Sequence, residues 1–155
     1  MSAIMSTYGR LPVTFTSGVG AYLTDQKGEQ YLDALSGIAV TNLGHSHSSV
    51  TRAITEQAES LLHTSNLYGI AQQERLATEL NQLTGMERIF FCNSGAEANE
   101  TAIKMARRHG HNKGIANPQI VVLEGAFHGR TMGALSATGS SAIQAAFKPL
   151  LPGFI

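Results

Sequence analysis

The stretch Arg88-Ile-Phe-Phe-Cys-Asn-Ser-Gly-Ala-Glu-Ala-Asn-Glu-Thr-Ala-Ile-Lys104 runs from a short apolar segment through a Ser-Gly-Ala corner into a helical pattern. Ser94 and Glu97 have the spacing of a capping box, which predicts that a helix begins here. Gly95 and Ala96 then occupy the first turn, where small side chains leave the backbone N–H groups accessible. Because these donors lack intrahelical acceptors and lie at the positive end of the helix dipole, the corner is suited to a phosphate dianion.

Composition limits the classes of function. The 155 residues can form about one ordinary domain, and 11 Lys+Arg balance 11 Asp+Glu. A formal net charge of zero gives no electrostatic reason to expect nucleic acid or an anionic membrane as partner, so a small-molecule ligand is favoured. The apolar stretches are too short to span a bilayer, and the first residues lack a secretory pattern, which predicts a cytoplasmic protein.

The single cysteine, Cys92, excludes an internal disulfide and is predicted to be a buried, inert thiol at the end of an apolar strand. Two His-x-His pairs, His45 with His47 and His109 with His111, are the only hints of a metal site. No carboxylate or second cysteine completes a recognisable ligand set, so we predict no metal.

The N-terminal pattern predicts three short strands at 13–15, 21–24 and 30–32, which form an antiparallel meander, and then an ordered loop over 36–48. Apolar residues at helical spacing predict helices over 49–62 and before Gly85. Beyond these, segments 88–92, 95–109 and 119–123 read as strand, helix and strand, which predicts a right-handed βαβ unit with parallel strands. We therefore expect an α/β fold in which 1–48 form an N-terminal segment and 49–155 begin a larger domain.

The loops after the two predicted parallel strands should face one crevice, since ligands collect beyond the carboxyl ends of such strands. The first loop offers phosphate donors. The second offers Phe127, which can stack on a flat heterocycle, and Arg130, which can bind a carboxylate with two hydrogen bonds. A phosphate, a planar ring and a carboxylate are the groups that an amino-acid enzyme using pyridoxal phosphate must hold.

The final segment, 147–155, is apolar and has no charge after Lys148. Two parallel strands make a poor sheet, and such an ending exposes apolar groups that favour a neighbour. The sequence analysis therefore predicts that the chain is the front portion of a larger fold.

Several motifs resemble the class III aminotransferases. They are Ser94-Gly-Ala-Glu-Ala-Asn-Glu, Phe127-His-Gly-Arg-Thr, Gly20-Ala-Tyr-Leu-Thr-Asp with Gly28, Tyr31-Leu-Asp, and Gly44-His-Ser-His. Within that class the acetylornithine aminotransferase branch is the most similar. The resemblance implies a fold type I enzyme dependent on pyridoxal 5′-phosphate, working as a homodimer with its active site at the subunit interface. Its substrates would be a small amino donor and a 2-oxo acid.

The resemblance also assigns residues. The cofactor-binding residues would be Ser94, Gly95, Ala96, Phe127 and, beside the ring, His128. The substrate-binding residues would be Arg130 for the α-carboxylate of the donor, with Tyr8 and Ile38 nearby. Relatives specialised for free ornithine tend to carry Tyr where Ile38 stands, which favours an N-acetylated donor.

The family's cofactor-linking lysine and its Asp-Glu-Val-Gln-like segment have no match here, so no catalytic residue is assigned within this chain and we expect it to be inactive by itself. Its lysines are Lys27, Lys104, Lys113 and Lys148. Two readings stay open. One is part of an acetylornithine-type transaminase, with succinylornithine, ornithine and 4-aminobutyrate enzymes as near alternatives. The other is a non-catalytic module that keeps the phosphate corner or the dimer surface.

Overall fold

The computed structural model describes residues 3–155, which divide after Ile70 into two compact units. Unit 1 ends at Ile70 and unit 2 is Ala71–Ile155. These units are defined by contacts within the 155 residues, so they do not test the predicted domain boundary after residue 48. The division of the family fold after residue 48 therefore stays a prediction.

Unit 1 begins with a three-stranded antiparallel sheet in the order β1-β2-β3, which confirms the predicted meander. The strands are β1 (Phe15–Val19), β2 (Tyr22–Asp25) and β3 (Gln30–Leu32). The first strand thus starts where the predicted one ended. The turn between β2 and β3 is held by the buried Asp25 carboxylate, which accepts the N–H groups of Lys27 at 2.8 Å and Glu29 at 2.9 Å.

The loop that follows is ordered by Asp33. Its carboxylate accepts the N–H groups of Leu35 and Ser36 at 3.1 and 2.8 Å and lies 2.7 Å from the His45 ring. The hydrogen bond from His45 lowers the pKa of Asp33. Within this loop, Ser36–Ala39 form the short turn α1, and all four residues have positive φ. A left-handed run of this kind is strained, so the loop owes its shape to the contacts around it. Unit 1 then continues with α2 (Ser48–Ser60).

Unit 2 is mainly helical. Its helices are α3 (Ala71–Thr84), α4 (Gly95–Asn112), α5 (Met132–Ser136) and α6 (Ser141–Gln144), followed by a 3₁₀ turn at Ala145–Phe147. Helices α2 and α3 confirm the two helices predicted from apolar spacing, and α4 confirms the helix predicted from the capping box. The most buried part of this unit is the α5 segment, where Ala134, Leu135, Ala137 and Thr138 pack beneath α4.

The parallel pairing predicted for segments 88–92 and 119–123 is wrong for the described residues, which form no ladder between these two segments. Instead, Ile120 pairs in parallel with Phe154. The N–H of Ile120 donates to Gly153 at 2.9 Å, and that of Ile155 donates to Ile120 at 3.1 Å. Consecutive strands are neighbours only about two-thirds of the time, and here residues 153–155 occupy one edge of the second segment.

Many large apolar side chains are exposed in both units. Phe90, Val121 and Leu123 are 68%, 77% and 78% exposed, and Leu62 on the other unit is 83% exposed. Apolar surface of this extent favours association. Among residues 3–155, no helix is long and apolar enough to cross a membrane.

We expect the purified 155-residue chain to self-associate with rising concentration, because association removes these side chains from water. Sedimentation velocity with binding of an apolar dye measures this directly. A monomer that binds no dye and unfolds in one cooperative thermal transition contradicts the prediction.

Candidate functional site

The corner between residue 92 and α4 has the predicted capping-box geometry. Ser94 is the N-cap in extended conformation, and its hydroxyl accepts the Glu97 N–H at 3.2 Å. The Glu97 carboxylate reaches back to the N–H of Asn93 at 2.8 Å. Hydrogen bonds from the Asn93 side chain and backbone lower the pKa of Glu97.

The backbone donors of the first turn are open. The first intrahelical bond runs from the Ala98 N–H to the Ser94 carbonyl, at 3.0 Å. Within residues 3–155, no protein group accepts the N–H of Gly95 or Ala96. A Cβ built on Gly95 has no neighbour within 4 Å, so this face of the turn is free space. Backbone N–H groups without a protein acceptor at a helix N-terminus are suited to binding a phosphate.

The segment 127–130 presents its ring and its cation outward. Phe127 is 63% exposed, and the Arg130 guanidinium carbon lies 6.0 Å from the centre of its ring. His128 is half-buried instead: its N–H donates to the Thr138 hydroxyl at 3.1 Å, and its carbonyl accepts the Asn99 side chain at 2.6 Å. The ring atom Nδ1 of His128 is buried, and no group among residues 3–155 forms a hydrogen bond with it. His128 therefore anchors the segment through its backbone.

Close backbone contact brings this segment onto the corner formed by Ser94, Gly95 and Ala96, which we call the phosphate corner. Gly129 has φ +131°, and a Cβ built on it would stand 3.0 Å from the Cβ atoms of both Ala96 and Ala134. The first turn of α4, the segment 127–130 and α5 thus meet at one glycine. The structure therefore unites Ser94, Gly95 and Ala96 with the segment that carries Phe127, His128 and Arg130.

Sequence reasoning missed Asn99, Glu100 and Thr131, which tie this segment to α4. Glu100 accepts the Thr131 hydroxyl at 2.5 Å and the Ala134 N–H at 3.2 Å. The Thr131 hydrogen bond is the main reason why the pKa of Glu100 is lowered. One signal was available: Asn99 and Glu100 follow Ala96 at helical spacing and therefore share its face of α4.

Tyr8 and Ile38 lie in unit 1, and both side chains are exposed, at 61% and 80%. Ile38 belongs to the left-handed α1 turn with φ +65°, a genuine outlier for a β-branched residue. Strained backbone of this kind is concentrated at ligand sites, which agrees with a functional role without assigning one. The roles of Tyr8 and Ile38 stay predictions.

The prediction of a buried Cys92 is wrong, because the thiol is exposed and donates to the Ser94 carbonyl at 3.4 Å. The expected strand neighbours that would cover it are not present in the described part of the chain. Over residues 3–155, no group of three or more His, Cys, Asp or Glu side chains is arranged to hold a metal ion.

Comparison with known proteins gives a family match over nearly the whole chain. The family model for aminotransferase class III matches residues 4–155. An acetylornithine aminotransferase from Nitrosomonas europaea is 59% identical over 155 residues, which is 100% of this chain and 39% of the relative. One from Gloeobacter violaceus is 50% identical over 98% of this chain and 38% of its own length. The chain thus spans about two-fifths of the curated relatives it matches.

Solved structures of aminotransferases match the same chain. The ornithine aminotransferase of Toxoplasma gondii superposes with a TM-score of 0.93 at 30% identity, covering 99% of this chain and 37% of that one. An adenosylmethionine-8-amino-7-oxononanoate aminotransferase from Methanocaldococcus jannaschii gives 0.91 at 32% identity, covering 98% of this chain and 37% of that one. A second Toxoplasma gondii structure is described with partial occupancy of PLP at its active site.

Proposed function

The chain belongs to the class III aminotransferases, and from this premise we propose that it carries the cofactor-phosphate and substrate-carboxylate sites of an acetylornithine-type transaminase. The proposed reaction moves the δ-amino group of N2-acetylornithine to 2-oxoglutarate, a step of arginine biosynthesis. The observation that carries the proposal is identity of 59% to an acetylornithine aminotransferase over the full chain.

Pyridoxal 5′-phosphate is the cofactor of this family, and the geometry of unit 2 fits it. The open N–H groups of Gly95 and Ala96 would hold the phosphate, with Ser94 at the corner. Phe127 is exposed on the segment packed against that corner and would stack on the cofactor ring. His128 would lie beside the ring, and its backbone N–H holds the segment in place through Thr138. When bound, the cofactor supplies an electron-withdrawing ring that accepts the negative charge left when the substrate carbon loses its proton.

Arg130 would bind the α-carboxylate of the donor. Its guanidinium offers paired N–H groups that match a carboxylate, and its neighbour Thr131 is fixed to α4 through Glu100. A fixed cation orients the amino acid so that its reacting end faces the cofactor. Tyr8 and Ile38 are proposed to border the rest of the substrate.

The lysine that links the cofactor is proposed to lie outside these 155 residues, since none of the four lysines stands in the family's lysine motif. The proposal extends to a homodimer in the cytoplasm, and to a family domain division after residue 48. Succinylornithine, ornithine and 4-aminobutyrate are the donors to test against acetylornithine.

The test is pyridoxal phosphate binding to the 155-residue chain, followed by absorbance before and after dialysis, with borohydride reduction and mass analysis. We expect saturable binding that inorganic phosphate competes away and that pyridoxal without its phosphate cannot match. We also expect no lysine to be labelled in stoichiometric amount, because no cofactor-linking lysine is assigned here.

Two results would contradict the proposed cofactor site. Equal affinity for pyridoxal and pyridoxal phosphate removes the phosphate role of the α4 corner. One lysine labelled to completion shows that Lys27, Lys104, Lys113 or Lys148 links the cofactor, and the chain then requires assay as an enzyme.

A further inference from the structure

The segment 127–130 has no regular secondary structure of its own, yet its position decides whether Phe127 and Arg130 can serve a ligand at the phosphate corner. The Thr138 hydroxyl accepts its His128 N–H at 3.1 Å, and Asn99, Glu100 and Thr131 connect it to α4 and to the start of α5. Asn99 donates to the His128 carbonyl at 2.6 Å, and Glu100 accepts from Thr131 at 2.5 Å and from the Ala134 N–H at 3.2 Å. We call Asn99, Glu100 and Thr131 the α4 clamp.

Glu100 is the central member of this clamp. One carboxylate oxygen serves both the N-cap hydroxyl and the first-turn N–H of α5, so it neutralises the start of that helix. The fit is close: a Cβ on Gly133 would stand 2.5 Å from this carboxylate, so a larger residue there would have to displace the end of the Glu100 side chain. Lys104, on the same helix, is the cation that contributes to the lowered pKa of Glu100.

The clamp contacts the chain directly after each of the two ligand-facing residues, Phe127 and Arg130. Asn99 fixes the residue after Phe127, and Glu100 fixes the residue after Arg130. Between these two points Gly129 rests on Ala96, whose N–H belongs to the phosphate corner. The Asn99 amide nitrogen, Glu100 Oε1 and the Thr131 hydroxyl form their hydrogen bonds with the segment and with α5, and none of these bonds goes to the backbone of Ser94, Gly95 or Ala96.

We propose that Glu100 is a positioning residue: by holding Thr131 and α5 against α4, it sets Phe127 and Arg130 relative to the phosphate corner without touching cofactor or substrate. The proposal rests on the proposed function for its ligand. The order of the segment can be measured with no ligand present.

The experiment compares the whole 155-residue chain with its variants Glu100→Ala and Glu100→Gln. The charge-loss control is Glu79→Gln, at an exposed residue of α3 that pairs with Arg75. Hydrogen exchange is followed at the Ala134 amide and across 127–131, with residues 96–98 as internal reference. The Ala134 N–H donates both to Glu100, at 3.2 Å, and to the Thr131 hydroxyl, at 3.3 Å. Glu100→Ala removes the first acceptor and the group that holds the second, so it should speed exchange of the Ala134 amide about tenfold or more. Gln keeps one acceptor oxygen and should restore about half of the protection on a logarithmic scale.

Affinities for pyridoxal phosphate and for inorganic phosphate are measured in the same variants. The ratio of the two reports the contribution of the ring site, which a general loss of stability would not change selectively. We expect Glu100→Ala to lose about fivefold or more in pyridoxal phosphate affinity while phosphate changes less than about twofold, since the corner donors are backbone groups.

Unchanged exchange over 127–131 in Glu100→Ala overturns the positioning role. Faster exchange with an unchanged affinity ratio overturns it as well, because the segment then does not serve the ligand. If exchange responds as expected while the unmodified chain binds neither ligand, the positioning of the segment stands and the proposed cofactor site falls. A Glu79→Gln control that behaves like Glu100→Ala makes the effect one of net charge and overturns the proposal.

Discussion

Arg130→Ala is expected to lower kcat/KM for the amino donor by about a hundredfold or more, since truncating one partner of a desolvated charge pair costs about 2–5 kcal/mol. The assay requires a complete enzyme. A chimaera that carries this chain in place of the matching segment of the Nitrosomonas europaea relative supplies it. Acetylornithine is the donor, 2-oxoglutarate is the acceptor, and cofactor content is read from absorbance.

The loss should appear in substrate use and not in cofactor retention, because Arg130 is assigned to the substrate carboxylate while the phosphate relies on backbone groups of α4. Arg130→Lys is the matched control. It keeps the charge but loses the planar fork, so its kcat/KM should fall between those of Arg130→Ala and the unchanged chimaera. Equal losses of substrate use and cofactor content in Arg130→Ala contradict the assignment and place Arg130 in the cofactor site.

Gly95→Asp is expected to weaken pyridoxal phosphate binding by about tenfold to a hundredfold while leaving the chain as stable or more stable. A Cβ fits at Gly95 without contact, and an acidic residue in the first turn stabilises a helix by about 0.3–1 kcal/mol. The same carboxylate would stand where the phosphate must bind. Two like charges about 4 Å apart repel by about 1 kcal/mol in bulk water and by about 4 kcal/mol at the effective dielectric near a protein surface. Gly95 is exposed, so we expect a value between these limits, and a tenfold to hundredfold loss corresponds to about 1.4–2.7 kcal/mol.

The opposite signs of these two effects make the test sharp. Thermal unfolding and ligand titration are measured on the same preparations, with Gln72→Asp in the first turn of α3 as control for added charge. The control should gain stability in the same way and bind the cofactor normally. Unaltered affinity in Gly95→Asp contradicts phosphate binding at this corner, whereas a large loss of stability makes Gly95 a structural residue.

Local signals predicted local structure well. The start of α4 followed from Ser94 and Glu97 because a capping box closes within four residues, and its hydrogen bonds form with little help from the rest of the chain. The meander followed from glycine turns between short strands, since antiparallel neighbours need only a tight connection. The motifs that resemble class III aminotransferases lie in the same stretches, and the family match over residues 4–155 confirms that resemblance.

Two predictions that depended on a partner from another part of the chain were wrong. The parallel ladder between 88–92 and 119–123 is absent from the described chain, since Ile120 pairs with Phe154 instead, and Cys92 is exposed because nothing described covers it. An extended segment has unpaired backbone groups along both edges, and its own residues do not say which edge a partner will occupy.

The sequence by itself determined the start of α4 at Ser94, the long helices, the antiparallel meander and the family. Only the tertiary structure revealed how Phe127 and Arg130 are held against α4. The contacts of Asn99 with His128 and of Glu100 with Thr131 join residues 29 and 31 positions apart. No periodicity or cap pattern spans such distances, and these hydrogen bonds exist only once Gly129 has packed on Ala96.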